Sequence, residues 1–587
     1  MKNKRPIKKF ITRVIIIVVF VCLIVSFLNR SKTEVEISQE ILDNIEYKSV
    51  CILNDESISD KIVHKNSISF INIEFLKDIE IIDYYRDDEI GRIQFFGDSG
   101  NKYNLVEMLY NENKVIVNDE IYDVDDTLLI VDNNIYLSCE VLMKSRLIDF
   151  PFTLNESNIL ILDNDSVVNM SKTNKITTYY IYTNGKIKAT ELDKNVEVRK
   201  FSYKIDDYTM VSHNGSIGFV LKEDIIPYKV LGQIELDKAI RNEPICLAWD
   251  LVAAKEMFRE FYIPSSVDVI APTWYNLIEK RHKSKEIICS KIIKSDSNNK
   301  TVEYIQAIAD DFDNDKNASR DYFYDVADND YIDYIHNNGK EIWATFNNSF
   351  DKELTRKLLH EGITRSNIVD EIINISLYEG YDGINIDFEN VYMTERDVYS
   401  AFIKELYCKA NKYDIVISVD VAVLSDSETW SRFADRYQIG KYTDYIILMA
   451  YDQHVSGTPG SVADIPWIEY GVENLLQSVD SEKVIMAMPF YTRFWEYLSN
   501  GTIKSNALKL QTANNVIDKY NIEFVYDEVL GQNYYEGYID GNLCKMWNED
   551  EVSLNNRLNI YRKYDLAGVG IWALDFGIEA MWNLIEK

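Results

Sequence analysis

Eight short, almost wholly apolar segments recur through the last part of the chain, and they constrain its fold more than any other feature. They are ICLAWDLV, VDVIAPTW, KEIWATFNN, YDGINIDFE, IVISVDVAV, DYIILMAYD, KVIMAMPFY and AGVGIWALDF, separated by stretches of helical, amphipathic pattern. A strand with one wet face alternates polar and apolar residues, whereas a strand apolar on both sides must be covered on both sides. Repeated buried strands joined by helices therefore predict βα units on a parallel sheet. Eight such units between about Glu235 and Lys587 predict an α/β fold, a (β/α)8 TIM barrel. The longest gap, Arg493 to Leu566, contains strand-like pieces of its own (IEFVYDEV, YYEGYID, LCKMWNE). It predicts an α+β insertion near 496–566 that could form a wall of the cleft.

Smaller, mostly β units precede the barrel. Residues 34–165 carry short alternating stretches broken by Asn, Asp and Gly. Asn66 to Asp78 and Asn133 to Ser145 form a weak internal repeat, a strand and then a short helix opened by Glu. Residues 166–232 offer about five more strands in some sixty residues, the pattern of a small β-barrel. Residues 1–33 differ. Lys2, Lys4, Arg5, Lys8, Lys9 and Arg13 precede the apolar run Val14 to Leu28. Extended from Phe10, that run reaches the ~20 residues a bilayer requires, and Arg13 can snorkel to the interface. The basic side stays in the cytoplasm, which predicts a single-pass anchor at the cell membrane with everything after about Ser31 outside. A cleaved signal peptide is the competing reading, but the residues after the run, SFLNRS, contain no small-x-small site.

Composition removes other classes. The net charge of −32 argues against nucleic acid, whose phosphates require clustered Lys and Arg, so no nucleic-acid partner is expected. The seven cysteines contain no CxxC and the six histidines no HExxH, so neither a disulfide framework nor a metal site is indicated.

The chemistry concentrates in the fourth apolar segment. In Asp382-Gly383-Ile384-Asn385-Ile386-Asp387-Phe388-Glu389, alternation puts Asn385, Asp387 and Glu389 on one face and Ile384, Ile386 and Phe388 on the other. Two carboxylates on a strand expected to be apolar are costly unless they are used or tightly bonded. They also fall at the strand's C-terminal end, where barrel enzymes keep their sites. Mutual repulsion between such a pair leaves one group protonated and the other an anion, which is the equipment for cleaving a glycosidic bond.

DGINIDFE resembles the DxxDxDxE signature of glycoside hydrolase family 18, the chitinase-like enzymes, and in particular their bacterial spore-cortex and wall glucosaminidase branch. ILMAYDQH, GTPGSVADIPWIEYGV, MAMPFYTRFW and GVGIWALDFG resemble later motifs of that family, in order. The resemblance implies a retaining, substrate-assisted hydrolysis of an N-acetylglucosamine-containing polysaccharide such as peptidoglycan, spore cortex or chitin, without metal or cofactor. It implies Glu389 as general acid and then base, and Asp387 as the anion that orients the 2-acetamido group. Tyr451 would bond the acetamido oxygen, helped by Asp452, and Trp572 would lie beneath the sugar. Asn385, Met449, Tyr491 and Trp249 are further candidate substrate contacts. Two weaker resemblances lie upstream. KVIVNDEIYDVDDTLLIVDNNIYLSCEVLMK is similar to the copper-amine-oxidase N-terminal-like stalk module, although nothing in it offers a copper site. GSIGFVLKEDI is similar to the close of bacterial Src-homology-3-like domains.

One position departs from the chitinase pattern: Asn385 stands where the middle Asp is expected. Asn can still hydrogen-bond Asp387 but cannot hold a proton, so Asp387 is expected to ionise more readily than in chitinases. Other readings of the barrel are a catalytically silent glycan lectin and a scaffold. The lectin members of the family typically lack the acid that Glu389 retains here.

Overall fold

The computed structural model describes most residues between 50 and 231, and residues 243–252, 260–279 and 321–585. The expected basic stretch and membrane span at 1–33 lie outside the described residues. Among the described residues no helix is long and apolar enough to cross a membrane. The chain divides into two compact units, Met1–Leu236 and Asp237–Lys587.

In the first unit the weak sequence repeat corresponds to two strand–helix pairs. Ile68–Asn72 runs into the helix Ile73–Asp78, and Asn134–Ser138 into the helix Cys139–Ser145. The two strands pair antiparallel, with Leu137 opposite Ile71. A five-stranded sheet from Ile82 to Asp123 shares a core with them that includes Leu76, Phe95, Val106 and Leu142. Residues Val168–Leu231 then form seven antiparallel strands in one sheet, around Tyr179, Val198, Val211 and Val220.

The second unit is a closed parallel barrel. Its strands are β1 (Ile245–Asp250), β2 (Val269–Pro272), β3 (Glu341–Asn347), β4 (Gly383–Asp387), β5 (Val416–Ala422), β6 (Tyr445–Met449), β7 (Val484–Pro489) and β8 (Gly568–Trp572). Each bonds in parallel to the next, and β8 returns to β1. Every apolar segment read from the sequence supplies one of them.

Alternate residues fill the interior, led by Ile245, Leu247, Trp249, Val269, Trp343, Tyr445, Ile447 and Ile485. Two indoles inside so small a barrel require space from their neighbours, and glycines provide it. A Cβ on Gly383 would lie 2.5 Å from the Trp343 ring, and one on Gly570 3.1 Å from Trp249. Trp343 stacks on Tyr445 with ring centroids 5.4 Å apart. Above this plug the inward side chains turn polar, and the site begins there.

The insertion is a five-stranded sheet with one helix, and it starts at Tyr491 rather than near 496. Strand β7 ends at Pro489, which has no N–H to continue a ladder. The chain therefore leaves the barrel there, while its strand-like pattern runs on without a visible break. The sheet ends at Asn548, so the helix Glu551–Lys563 belongs to the barrel layer before β8. Buried Arg557 on that helix pairs with Glu549 and donates to the Ala463 carbonyl at 2.7 Å, tying insertion and barrel together.

Candidate active site

Strand β4 ends at Asp387, and Glu389 follows two residues later, close enough for the Asp387 charge to act on it. The backbone around Glu389 is fixed by the buried side chain of Asn348, just past β3. Asn348 Oδ1 accepts from the Glu389 N–H at 3.0 Å, and its Nδ2 donates to the Glu389 carbonyl at 2.8 Å. Left-handed backbone at non-glycine residues gathers at this mouth: Ser349, Phe350, Asn390 and Asp452 have φ of 53°, 58°, 52° and 58°. Such strain persists where the surrounding structure over-determines it, commonly at functional sites.

The carboxyls are perturbed as expected for crowded, poorly hydrated acids. Burial pushes the Asp387 carboxyl up to about 7. Burial, and then the charges of Asp387 and Asp452, push Glu389 up to about 9. Both effects favour the protonated form of Glu389 at neutral pH. One oxygen of Asp387, Oδ1, is buried and accepts no hydrogen bond from the described residues.

Tyr451 follows the end of β6, and Trp572 ends β8. Their rings stack with centroids 6.0 Å apart and 28° between planes. Burial and the neighbouring acidic groups of Asp420, Asp387 and Glu389 raise the Tyr451 phenol well above its ordinary value, so it remains an O–H donor. Asp452 is gripped from the insertion: Tyr491 donates to its Oδ1 at 2.5 Å and Arg493 at 3.1 Å. A cavity of about 540 Å³ lies past the C-terminal ends of β1 and β8, bordered by Asp250, Tyr262, Asp575 and Trp582, and none of Asp387, Glu389 or Tyr451 lines it.

The expected substrate contacts divide. Asp387, Glu389, Tyr451 and Trp572 all keep some exposure, and Asp452 is open. Trp249 and Asn385 are 0% exposed and cannot touch a sugar. Trp249 instead lies beneath Trp572, centroids 5.8 Å apart, and its indole N–H donates to Asn385 Oδ1 at 3.0 Å. Met449 and Tyr491 are nearly as enclosed, at 8% and 4%, and Tyr491 acts on Asp452.

Asn385 also does not bond Asp387. Its Oδ1 accepts from Trp249 and from Thr345 (3.0 Å), and its Nδ2 donates to Ser418 (3.2 Å) and Asp420 (2.8 Å). An amide has two acceptor and two donor positions, and all four are occupied. Burial holds the Asp387 carboxyl above the usual carboxylate range.

Asp420 and Asn348 were missed. Asp420 lies on β5, the IVISVDVAV segment, where the reasoning applied to β4 would have flagged it: a carboxylate at the end of a strand that should be apolar.

Residues 337–577 match the family model described as glycosyl hydrolases family 18. The barrel carries a family 18 domain. Over 259 residues the chain is 29% identical to the uncharacterized glycosylase YvbX of Bacillus subtilis (strain 168), covering 42% of this chain and 74% of that protein. It is 25% identical over 248 residues to the cortical fragment-lytic enzyme of the same organism, covering 41% of this chain and 57% of that protein. The chain thus spans little more than half the length of that second relative. Membership of the domain in family 18, together with these relatives, makes the barrel a glycoside hydrolase domain.

Proposed function

We propose that the family 18 barrel cleaves an N-acetylglucosamine-containing wall glycan, peptidoglycan or spore cortex, with retention and with the substrate's own acetamide as nucleophile. What carries this reading is the pair Asp387 and Glu389 at the end of β4, with Glu389 raised by burial and by the charges of Asp387 and Asp452, together with the stack of Tyr451 on Trp572.

In this scheme Glu389 gives its proton to the glycosidic oxygen as the bond from that oxygen to the anomeric carbon breaks. The acetamido carbonyl oxygen attacks the same carbon from the opposite face and forms an oxazolinium ion. Asp387, as an anion, accepts a hydrogen bond from the acetamido N–H and stabilises the positive charge. The Tyr451 hydroxyl donates to the acetamido oxygen and aligns it, and Trp572 supports the sugar ring. Water then attacks the anomeric carbon, Glu389 takes its proton, and the acetamide is released. Two inversions give retention, with the substrate in place of an enzyme nucleophile.

The wider reading is of an exported enzyme, anchored at the membrane by residues 1–33. Residues 34–165 would serve as a stalk similar to copper-amine-oxidase N-terminal modules, and 166–232 as a small wall-facing β domain. A wall-facing position suits peptidoglycan better than chitin.

Purified peptidoglycan digested by wild type and by Glu389→Gln, with mass spectrometry of the muropeptides, tests the function. Wild type should release new reducing ends, and the variant should bind the glycan without releasing them. Equal slow release by both would leave a glycan-binding lectin. De-N-acetylated glycan should be a poor substrate, and comparable rates would require an enzyme carboxylate nucleophile.

A further inference from the structure

Strands β4 and β5 run side by side, with Asn385 opposite Ser418 and Ile386 opposite Val419. One step further, the same register sets Asp387 opposite Asp420. Asn385 and Ser418 bond each other inside the barrel, and alternation turns Asp387 and Asp420 to that same interior. Neighbouring strands lie roughly 4.8 Å apart, which brings two such carboxyls within reach of one another.

Asp420 is 3% exposed. Among the described residues its carboxylate accepts one hydrogen bond, from Asn385 Nδ2, and no Lys or Arg pairs with it, with Asp387 or with Glu389. The ionisable groups that act on it are Asp387 and Glu389 from β4, Tyr451 from β6 and Tyr399 from the helix Arg396–Asn411. None of them supplies positive charge. Three carboxyls without a cation cannot all be anions, and among the described residues no such group is arranged to hold a metal ion. Asp387 Oδ1 meanwhile has no described donor.

We propose that Asp420 is a positioning residue for the hydrolysis proposed above: its carboxyl keeps its proton and gives it as a hydrogen bond to Asp387, so that Asp387 remains an anion beneath the substrate amide. Asn385 cannot do this, because its amide is fully engaged, but it fixes the donor. Its Nδ2 occupies Asp420 Oδ1 and leaves the other oxygen as the site of the proton. Burial and the adjacent Asp387 charge both favour the neutral form of Asp420. No proton changes owner in this arrangement. Asp420 works by staying neutral.

The test combines a spectroscopic and a kinetic arm on the full chain. Infrared spectra at pH 7 are compared for Glu389→Gln and for Glu389→Gln/Asp420→Asn, the first change removing the proton of Glu389 itself. A protonated-carboxyl band that the double variant lacks is the expected result. Buried acids such as Asp250 and Glu549 are common to both variants and cancel in the difference spectrum, so a difference that shows no loss of protonated-carboxyl absorption overturns the proposal. In the kinetic arm, Asp420→Ala should lower kcat on the order of tenfold to hundredfold with little change in KM, because Asp387 loses its donor. Asp420→Asn restores a neutral N–H donor and should recover most of that loss. If it is as impaired as Asp420→Ala, the proposal fails. A wild type that turns over no glycan would sink the proposed hydrolysis and leave the infrared arm to decide on Asp420.

Discussion

Replacing Glu389 with Gln should make the protein more stable while abolishing turnover, and the gain should grow with pH. The acid titrates near 4.5 in an unfolded chain and is pushed up to about 9 in the fold by burial and by the charges of Asp387 and Asp452. Between those values the folded state binds a proton that the unfolded state has released, so stability falls as pH rises through the window. The penalty is absent below about 4.5, where both states are protonated, and complete above about 9. At pH 7 the interval is two and a half units, which at about 1.36 kcal/mol per unit gives an upper value of roughly 3 kcal/mol. Glu389 keeps a path to solvent, and partial hydration reduces this to about 1–3 kcal/mol. Gln is nearly isosteric and never charges, so the variant escapes the penalty.

In a unit of this size that gain raises the melting midpoint by roughly 2–4 °C. Thermal unfolding of wild type and Glu389→Gln at pH 5, 7 and 9 measures it, with glycan digestion run on the same samples. The difference should be near zero at pH 5 and largest at pH 9, and turnover should drop by about 10²-fold or more. A difference that does not vary with pH, or a wild type that is the more stable at pH 9, would mean that Glu389 is an ordinary solvated carboxylate and not a stored acid.

Further outcomes follow from the same geometry. Asp452→Asn removes a negative charge that raises Glu389, so the basic limb of the pH–rate profile should move to lower pH; a full profile of kcat/KM checks the direction. Tyr451→Phe keeps the ring stack on Trp572 and deletes the hydroxyl, which should cost on the order of 10²-fold in kcat with little change in KM. Steady-state kinetics on soluble muropeptides would separate the two constants. Gly383→Ala places a methyl 2.5 Å from the buried Trp343 ring and should destabilise the barrel by about 1–3 kcal/mol, read by denaturant titration.

The barrel was legible because its signal is local. Each strand is buried on both faces and shows as an apolar run, and each run became a strand. The insertion was misplaced by a few residues because YTRFWEY keeps its strand pattern on leaving the barrel, and Pro489 was the sole mark of the exit. Asp387 and Glu389 were legible for a similar reason: they lie two residues apart where one strand ends, close enough in the chain for a local pattern to show them.

What escaped was everything that depends on neighbours distant in the chain. Trp249 looked like a sugar contact because it ends a barrel strand, yet Trp572, some 320 residues later, lies over it. Asn385 looked available to Asp387, yet its four bonds go to β1, β3 and twice to β5. Asp420 could be seen as an odd carboxylate in an apolar run, but not as the partner of Asp387. That pairing is set by the register between β4 and β5, two strands separated in the chain by the helix Arg396–Asn411. Reading strand by strand therefore finds the groups that share a strand and misses those that share a layer. For a parallel barrel, the lone polar residues near the C-terminal ends of all eight strands are better compared as one ring. Taken that way, Thr345, Asn385, Asp387, Ser418 and Asp420 form a continuous polar arc above an apolar plug, and a carboxylate within such an arc has to share its protons with its neighbours.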